Sequence, residues 1–195
     1  LGGGFPNTYT GITTLTNGTL KLGKAGALGG GVFALNGGTL IADIPLTGSD
    51  KLTNAIQINA SPPRVSGTNS IDFGGVVTLG GSRNVENNLS GGAELIISGG
   101  ITNSAASTLT FYGSGDTLIN SAYNAGTGAS GLQMAGTGTL TVTAASAATG
   151  ALTASRGLIV LEDAGTWSAG TFTLNTNGTL RLDNSVTNNN DRLSG

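Results

Sequence analysis

Two pairs of acidic residues have a spacing that could bring carboxylates together for glycoside hydrolysis. The positions of Asp163 and Asp183 differ by 20, and those of Asp72 and Glu94 differ by 22. A glycosidase needs two carboxylates roughly 5–9 Å apart, and stacked strands would hold such residues about 4.8 Å apart. Neither lysines nor aromatic residues cluster around the Asp163–Asp183 pair in the sequence. We therefore interpret these side chains as solvated carboxylates at turns.

The other patterns that could do chemistry are incomplete. The sequence contains neither cysteine nor histidine, which leaves out thiolate nucleophiles, the usual general base and the commonest transition-metal ligand. The segment 113–118, GSGDTL, is nearest to a calcium-binding glycine-rich repeat, but its spacing is off by one and it occurs once. Arg156 and Arg181 are typical of solubilising charges at an edge. The sequence thus predicts no catalytic, cofactor-binding or metal-binding residues, and no cofactor.

Two further features could contact a sugar. Trp167 has roughly the position in its repeat that Tyr9 has in the first repeat. An exposed ring there could stack on a sugar, but we predict that it packs in the core or at a coil corner. The stretch 54–70, which contains Pro62-Pro63-Arg64, is the one candidate for a loop excursion.

The composition excludes several classes of protein. Gly, Thr, Asn and Ser account for 98 of the 195 residues, and these types are poor helix formers, which argues against a helical bundle. The 8 Lys and Arg residues, with a net charge of −2, do not form the basic surface that nucleic acid requires. The apolar run 158–161 is far shorter than the roughly 20 residues of a membrane helix. We predict no nucleic-acid partner and no membrane insertion of this segment.

A glycine-based unit of about 20 residues recurs along the chain. In each copy a second glycine lies seven positions after the first, or eight in one copy, and apolar residues follow two and four places on. The second glycines are Gly18, Gly38, Gly138, Gly157 and Gly178. Between the second and third of these, apolar stretches occur at 56–58, 76–79, 95–97 and 117–119. We therefore expect about nine coils of roughly 20 residues.

The repeat predicts an all-β fold, a parallel β-solenoid. The segments 19–22, 139–142 and 179–182 alternate polar and apolar residues, as half-buried strands do. Such short strands bury a core only when each pairs with its copies in the neighbouring coils. An immunoglobulin-like sandwich needs no fixed repeat register and fits less well. We expect Leu20, Leu40, Leu140 and Leu180 to be buried and aligned in one ladder.

The N-terminal segment resembles a known family. The residues NTYTGITTLTNGTLKLG at 7–23, followed by AGALG at 25–29, resemble the autotransporter-associated β-strand repeat of large bacterial surface proteins. Weaker echoes occur at 149–161 and 165–182. The resemblance implies a right-handed β-helix stalk that is secreted, displayed at the bacterial cell surface, and structural or adhesive. Residues 1–195 are then expected to be one solenoid segment of a longer repetitive chain.

Three functions are compatible with these observations. The first is a non-catalytic structural or adhesive stalk or filament, extracellular and at the cell surface, whose partners are further coils of the chain or copies of itself end to end. Cell-surface glycans and other cells are further candidate partners. The second is a polysaccharide lyase or hydrolase, which would show a carboxylate or basic cleft. The third is an ice- or surface-binding solenoid with flat threonine arrays, suggested by Thr139, Thr141, Thr143, Thr171 and Thr173. The first is favoured because the composition is poor in reactive side chains.

Overall fold

In the computed structural model the chain is an all-β parallel solenoid, as the repeat predicts. The structure describes residues 6–60, 62–103, 105–125, 129–168 and 170–194. These ranges contain 18 strands, which we number in chain order, and two short 3₁₀ helices, Ala25–Leu28 and Gly48–Asp50. Within the described residues, neither helix has the length and apolar character needed to cross a membrane.

One side of the solenoid, which we call face A, is a six-stranded parallel sheet. Its strands are β1 (Thr13–Leu15), β3 (Phe33–Leu35), β5 (Ile56–Ile58), β8 (Val77–Leu79), β11 (Ile101–Asn103) and β14 (Tyr123–Ala125). Phe33 pairs with Ile56, and Ile56 with Val77, so that apolar side chains stack from coil to coil. Parallel pairing of this kind is the expected result of a repeat in which each strand meets its counterpart in the next coil.

Two further faces are joined into one 12-stranded path. Face B contains β2 (Thr19–Leu22), β4 (Thr39–Ala42), β6 (Arg64–Gly67), β9 (Arg83–Leu89), β12 (Thr108–Tyr112) and β15 (Gly131–Met134). Face C contains β7 (Ile71–Phe73), β10 (Glu94–Ile97), β13 (Asp116–Ile119) and β16 (Thr139–Val142). The last strands, β17 (Leu152–Leu161) and β18 (Phe172–Leu182), are long enough to run across both faces. The first half of β17 pairs with β15 and its second half with β16.

The solenoid has about seven turns, so the expectation of nine coils is wrong. The register shows why: Thr39 pairs with Arg64, and Glu86 pairs with Tyr112, so these coils are longer than a repeat of about 20 residues. The apolar stretches at 56–58 and 76–79 lie on face A, whereas those at 95–97 and 117–119 lie on face C. Counting all four as copies of one strand overestimates the number of coils, because a middle coil contributes three strands and not two.

The interior is one continuous apolar cluster. Leu40 and Leu140 are fully buried, as expected, and burying each stabilises the fold by roughly 1.5–3 kcal/mol. Leu20 and Leu180 are only partly buried because they lie in the first and last coils, where one neighbouring coil covers them instead of two. Leu20 aligns with Leu40 on face B. The C-terminal leucine ladder lies on face C, so the four residues form two ladders and not one.

Glycine is required where the chain turns from face B to face C. Gly157 has φ +65°, a conformation that costs other residues free energy, and it pairs with Gly178 in the next coil. A Cβ atom on Gly157 would lie 2.4 Å from the carbonyl oxygen of Gly138 in the preceding coil. The repeat glycines therefore allow both the turn and the close approach of stacked backbones.

Candidate functional site

A groove of about 410 Å³ lies on the outer side of face B. It is lined by Pro62, Asn84, Glu86, Tyr112 and Gly113. Strand alternation places these side chains outside: on β9 the side chains of Val85 and Asn87 are buried, and those of the intervening residues point outward. On β12, Phe111 is buried and Tyr112 is exposed.

Three residues from three successive coils form one outward column through this site. Arg64 pairs with Glu86, and Glu86 pairs with Tyr112. The Arg64 guanidinium donates a hydrogen bond of 2.7 Å to the Glu86 carboxylate, and Asn88 donates another of 2.7 Å. Tyr112 leaves 40% of its surface exposed. The column thus places an exposed aromatic ring directly beside a fixed ion pair.

The electrostatics of the ion pair keep Glu86 ionised. Hydrogen bonds from Arg64 and Asn88 hold the pKa of the Glu86 carboxyl below its usual value, against the opposing effect of partial burial. The hydrogen bond and negative charge of Glu86 in turn raise the pKa of Arg64. A general acid in glycoside hydrolysis requires a raised pKa. Glu86 therefore suits hydrogen bonding to a ligand better than proton donation.

A second column borders the first and is built from uncharged polar residues, of which Thr110 is buried. Asn84 pairs with Thr110, and Thr110 pairs with Gln133. The Thr110 hydroxyl donates to the Gln133 side-chain oxygen at 3.2 Å, and the Gln133 amide donates to the Ser155 hydroxyl at 2.8 Å. These contacts tie neighbouring coils together beside the groove.

The structure does not bring Asp163 and Asp183 into register as a pair. Leu161 pairs with Leu182, which sets Glu162 beside Asp183. Arg181 lies 3.8 Å from Glu162 and 3.4 Å from Asp183, so a cation stands near both carboxylates. Hydrogen bonds from Ser185, with a smaller contribution from Arg181, lower the pKa of Asp183. Asp163 lies in a turn and has φ +50°. The interpretation of these two as turn carboxylates fits, and Arg181 is an exposed ion-pair partner.

The second acidic pair is separated as well. Asp72 pairs with Ile96, whereas Glu94 pairs with Asp116. Asp72 is buried within β7 and accepts a hydrogen bond of 2.6 Å from the Ser98 hydroxyl. The interpretation of Asp72 as a solvated turn residue is therefore wrong, because a neighbouring-coil hydroxyl satisfies it inside the stack.

Residues 113–115 form the turn between β12 and β13, but the prediction of a turn is wrong for 116–118, which lie in β13. The Asp116 carboxylate accepts a hydrogen bond of 2.7 Å from the backbone N–H of Thr139 in the next coil. Among the described residues, no group of three or more acidic side chains is placed to hold a metal ion. Asp116 therefore ties one coil to the next.

Trp167 is fully buried, so the prediction that it packs in the core is confirmed. Its ring lies 5.7 Å from that of Tyr123 in an edge-to-face arrangement, and its indole N–H donates to the Gly150 carbonyl at 2.9 Å. Tyr9, at the equivalent position of the first repeat, is 39% exposed. Burial raises the pKa of Tyr123 to about 12, against the opposing effect of its hydrogen bonds with Ser107 and Ser130.

The threonines of the C-terminal half do not align into a flat array. Thr141 pairs with Leu118 in one neighbouring coil and with Val160 in the other. Thr173 does pair with Thr153, but Thr139 pairs with Leu158. Apolar residues therefore interrupt the rows that an ice-binding surface would need.

No protein-family model, curated protein or solved structure matches this chain.

Proposed function

We propose that this chain is a structural and adhesive segment, a stalk or filament, of a secreted bacterial surface protein, and that it acts without catalysis. Stacked parallel coils supply length and stiffness, since each coil contacts only its neighbours. Surface location is proposed on the resemblance of residues 7–29 to the autotransporter-associated repeat.

The observation that carries the proposal is the uncovered interior at the last coil. Phe172, Leu174 and Leu182 are 36%, 57% and 47% exposed. They pair with Leu152, Ala154 and Leu161, which are buried core residues of the preceding coil. Phe172, Leu174 and Leu182 thus occupy core positions, and among the described strands only β17 pairs with β18.

An open strand edge above uncovered core residues is a template for another parallel strand. The proposed partners are therefore further coils of the same chain, or a second copy whose first coil, with β1 and β2, continues the stack. The net charge of −2 gives little repulsion against this association.

Sedimentation of the whole chain at micromolar concentration tests the proposal. The wild-type chain should self-associate. Ile44→Lys is the control and should also self-associate, because Ile44 is 41% exposed and lies away from β18. Leu174→Lys should not, because a charge would replace an apolar core position. A monodisperse wild-type monomer of 19.1 kDa would contradict the proposal.

A further inference from the structure

We infer that the outward groove on face B is a binding site for a neutral oligosaccharide. The inference deepens the adhesive part of the proposed function by naming the face and the class of ligand. It is independent of whether the last coil joins a second copy.

The lining combines the two surfaces that a sugar ring presents. Tyr112 and Pro62 offer exposed apolar surface, on which the C–H face of a pyranose ring can lie. Glu86 offers carboxylate oxygens, and Asn84 is a side-chain amide, so hydroxyl groups find acceptors and donors beside the ring. A few polar groups around an apolar floor are typical of a small-molecule site.

The charges at the groove favour a neutral ligand. Glu86 is compensated by Arg64 at 2.7 Å, so neither an anionic nor a cationic sugar meets an uncompensated charge there. The nearby Arg83 directs its guanidinium away, because its nitrogens donate to the carbonyl oxygens of Ile58, Ser82 and Gly80.

The alignment of the residues favours a chain of sugars over a single ring. Arg64, Glu86 and Tyr112 come from three successive coils, which a parallel sheet spaces by about 4.8 Å each. The polar column of Asn84, Thr110 and Gln133 runs beside them in the same direction. A linear oligosaccharide lying along the solenoid axis would contact Glu86 and Tyr112 of the first column and Asn84 of the second.

The surrounding backbone is held firmly enough to form a preformed site. Glu86 donates its N–H to the Pro63 carbonyl at 2.9 Å, which fixes the chain beside Pro62 against the next coil. Gly113, with φ +90°, ends β12 directly after Tyr112 and turns the chain away. A Cβ atom there would lie 2.0 Å from the Asn87 carbonyl oxygen, so the turn depends on glycine.

Titration of the isotope-labelled whole chain with cellohexaose, maltohexaose and mannohexaose, followed by NMR, tests the inference. At least one of these should bind with a Kd of about 1 mM or tighter, with shifts centred on Tyr112 and Glu86. Tyr112→Ala should weaken binding at least about tenfold, which corresponds to about 1.4 kcal/mol. Tyr9→Ala is the matched control, because Tyr9 is 39% exposed and lies outside the groove. It should bind as the wild type does.

Two results would overturn the inference. One is no shift with any of the three oligosaccharides at about 10 mM. The other is binding that Tyr112→Ala leaves unchanged while its amide spectrum shows the native fold. Shifts at Tyr112 and Glu86 produced by an uncharged hexapeptide, but by no oligosaccharide, would reassign the groove to an extended polypeptide. If sugars fail while the chain still self-associates, the inference falls and the proposed stalk remains.

Discussion

Replacing Gly157 by alanine should destabilise the solenoid by about 3 kcal/mol. Two effects add at this position: φ is +65°, and the new Cβ would lie 2.4 Å from the Gly138 carbonyl oxygen and 2.7 Å from that of Gly136. The left-handed conformation costs an L-residue roughly 1–2 kcal/mol, and overpacking costs a further ~1–3 kcal/mol. The lower chain entropy of alanine in the unfolded state offsets roughly 0.4–1 kcal/mol.

Two other glycines separate these effects. Gly18 has φ +76°, but nothing lies within 4 Å of the place its Cβ would take, so Gly18→Ala should lose only about 1 kcal/mol. Gly30 also has open space and no positive φ, so Gly30→Ala should change stability by about 0.5 kcal/mol or less in either direction.

Urea unfolding followed by far-UV circular dichroism measures the three variants, since the midpoint shift multiplied by the slope gives the change in unfolding free energy. Gly30→Ala should be the most stable of the three variants, Gly18→Ala the next and Gly157→Ala the least stable. If the unfolding free energies of Gly157→Ala and Gly30→Ala differ by less than about 0.5 kcal/mol, the coils do not stack closely at the corner between faces B and C.

Three further tests concern the apolar core, the buried Tyr123 and the acidic residues. In a thermal scan, Leu140→Asp should abolish coil order or lower the Tm by many degrees, because it buries an unpaired charge. Val76→Asp should have little effect in the same scan, because Val76 is 42% exposed. Burial raises the pKa of Tyr123 to about 12, so the unfolded chain loses this proton at a lower pH than the folded chain does. The free energy of unfolding should therefore stay constant below pH 10 and fall by roughly 3 kcal/mol between pH 10 and 12. Urea unfolding measured against pH should show this fall in the wild type and not in Tyr123→Phe. Incubation with common polysaccharides should give no new reducing ends or unsaturated products, and turnover that Asp163→Ala or Asp183→Ala removes would favour the enzyme hypothesis.

The strand segments could be predicted from sequence because each carries its own alternation. The segments 19–22 and 139–142 form β2 and β16 with the predicted bounds. The face of the solenoid on which a strand lies could not be predicted, because alternation reports only which side chains point inward. Ile56 and Leu95 have similar local patterns, yet Ile56 lies on face A and Leu95 on face C.

The groove could not be predicted for a related reason. Arg64, Glu86 and Tyr112 are unequally spaced in the sequence, and a fixed period does not align them. The length of each coil is set by its corner loops, where local sequence carries no periodic signal. The expected loop excursion over 54–70 is wrong, because β5 and β6 lie in that stretch and Arg64 begins β6. One signal was available: the prolines before Arg64 lie in a coil longer than the repeat, and Pro62 forms one wall of the groove.

Electron microscopy of the whole chain over a range of concentrations tests the proposed stalk most directly. About seven turns at ~4.8 Å each make one copy about 34 Å long. We predict rods of constant width whose lengths are multiples of about 34 Å and increase with concentration. Leu174→Lys should give only particles of the length of one copy. Wild-type particles that keep a single length of about 34 Å at every concentration, or that aggregate side by side without lengthening, would contradict the stalk.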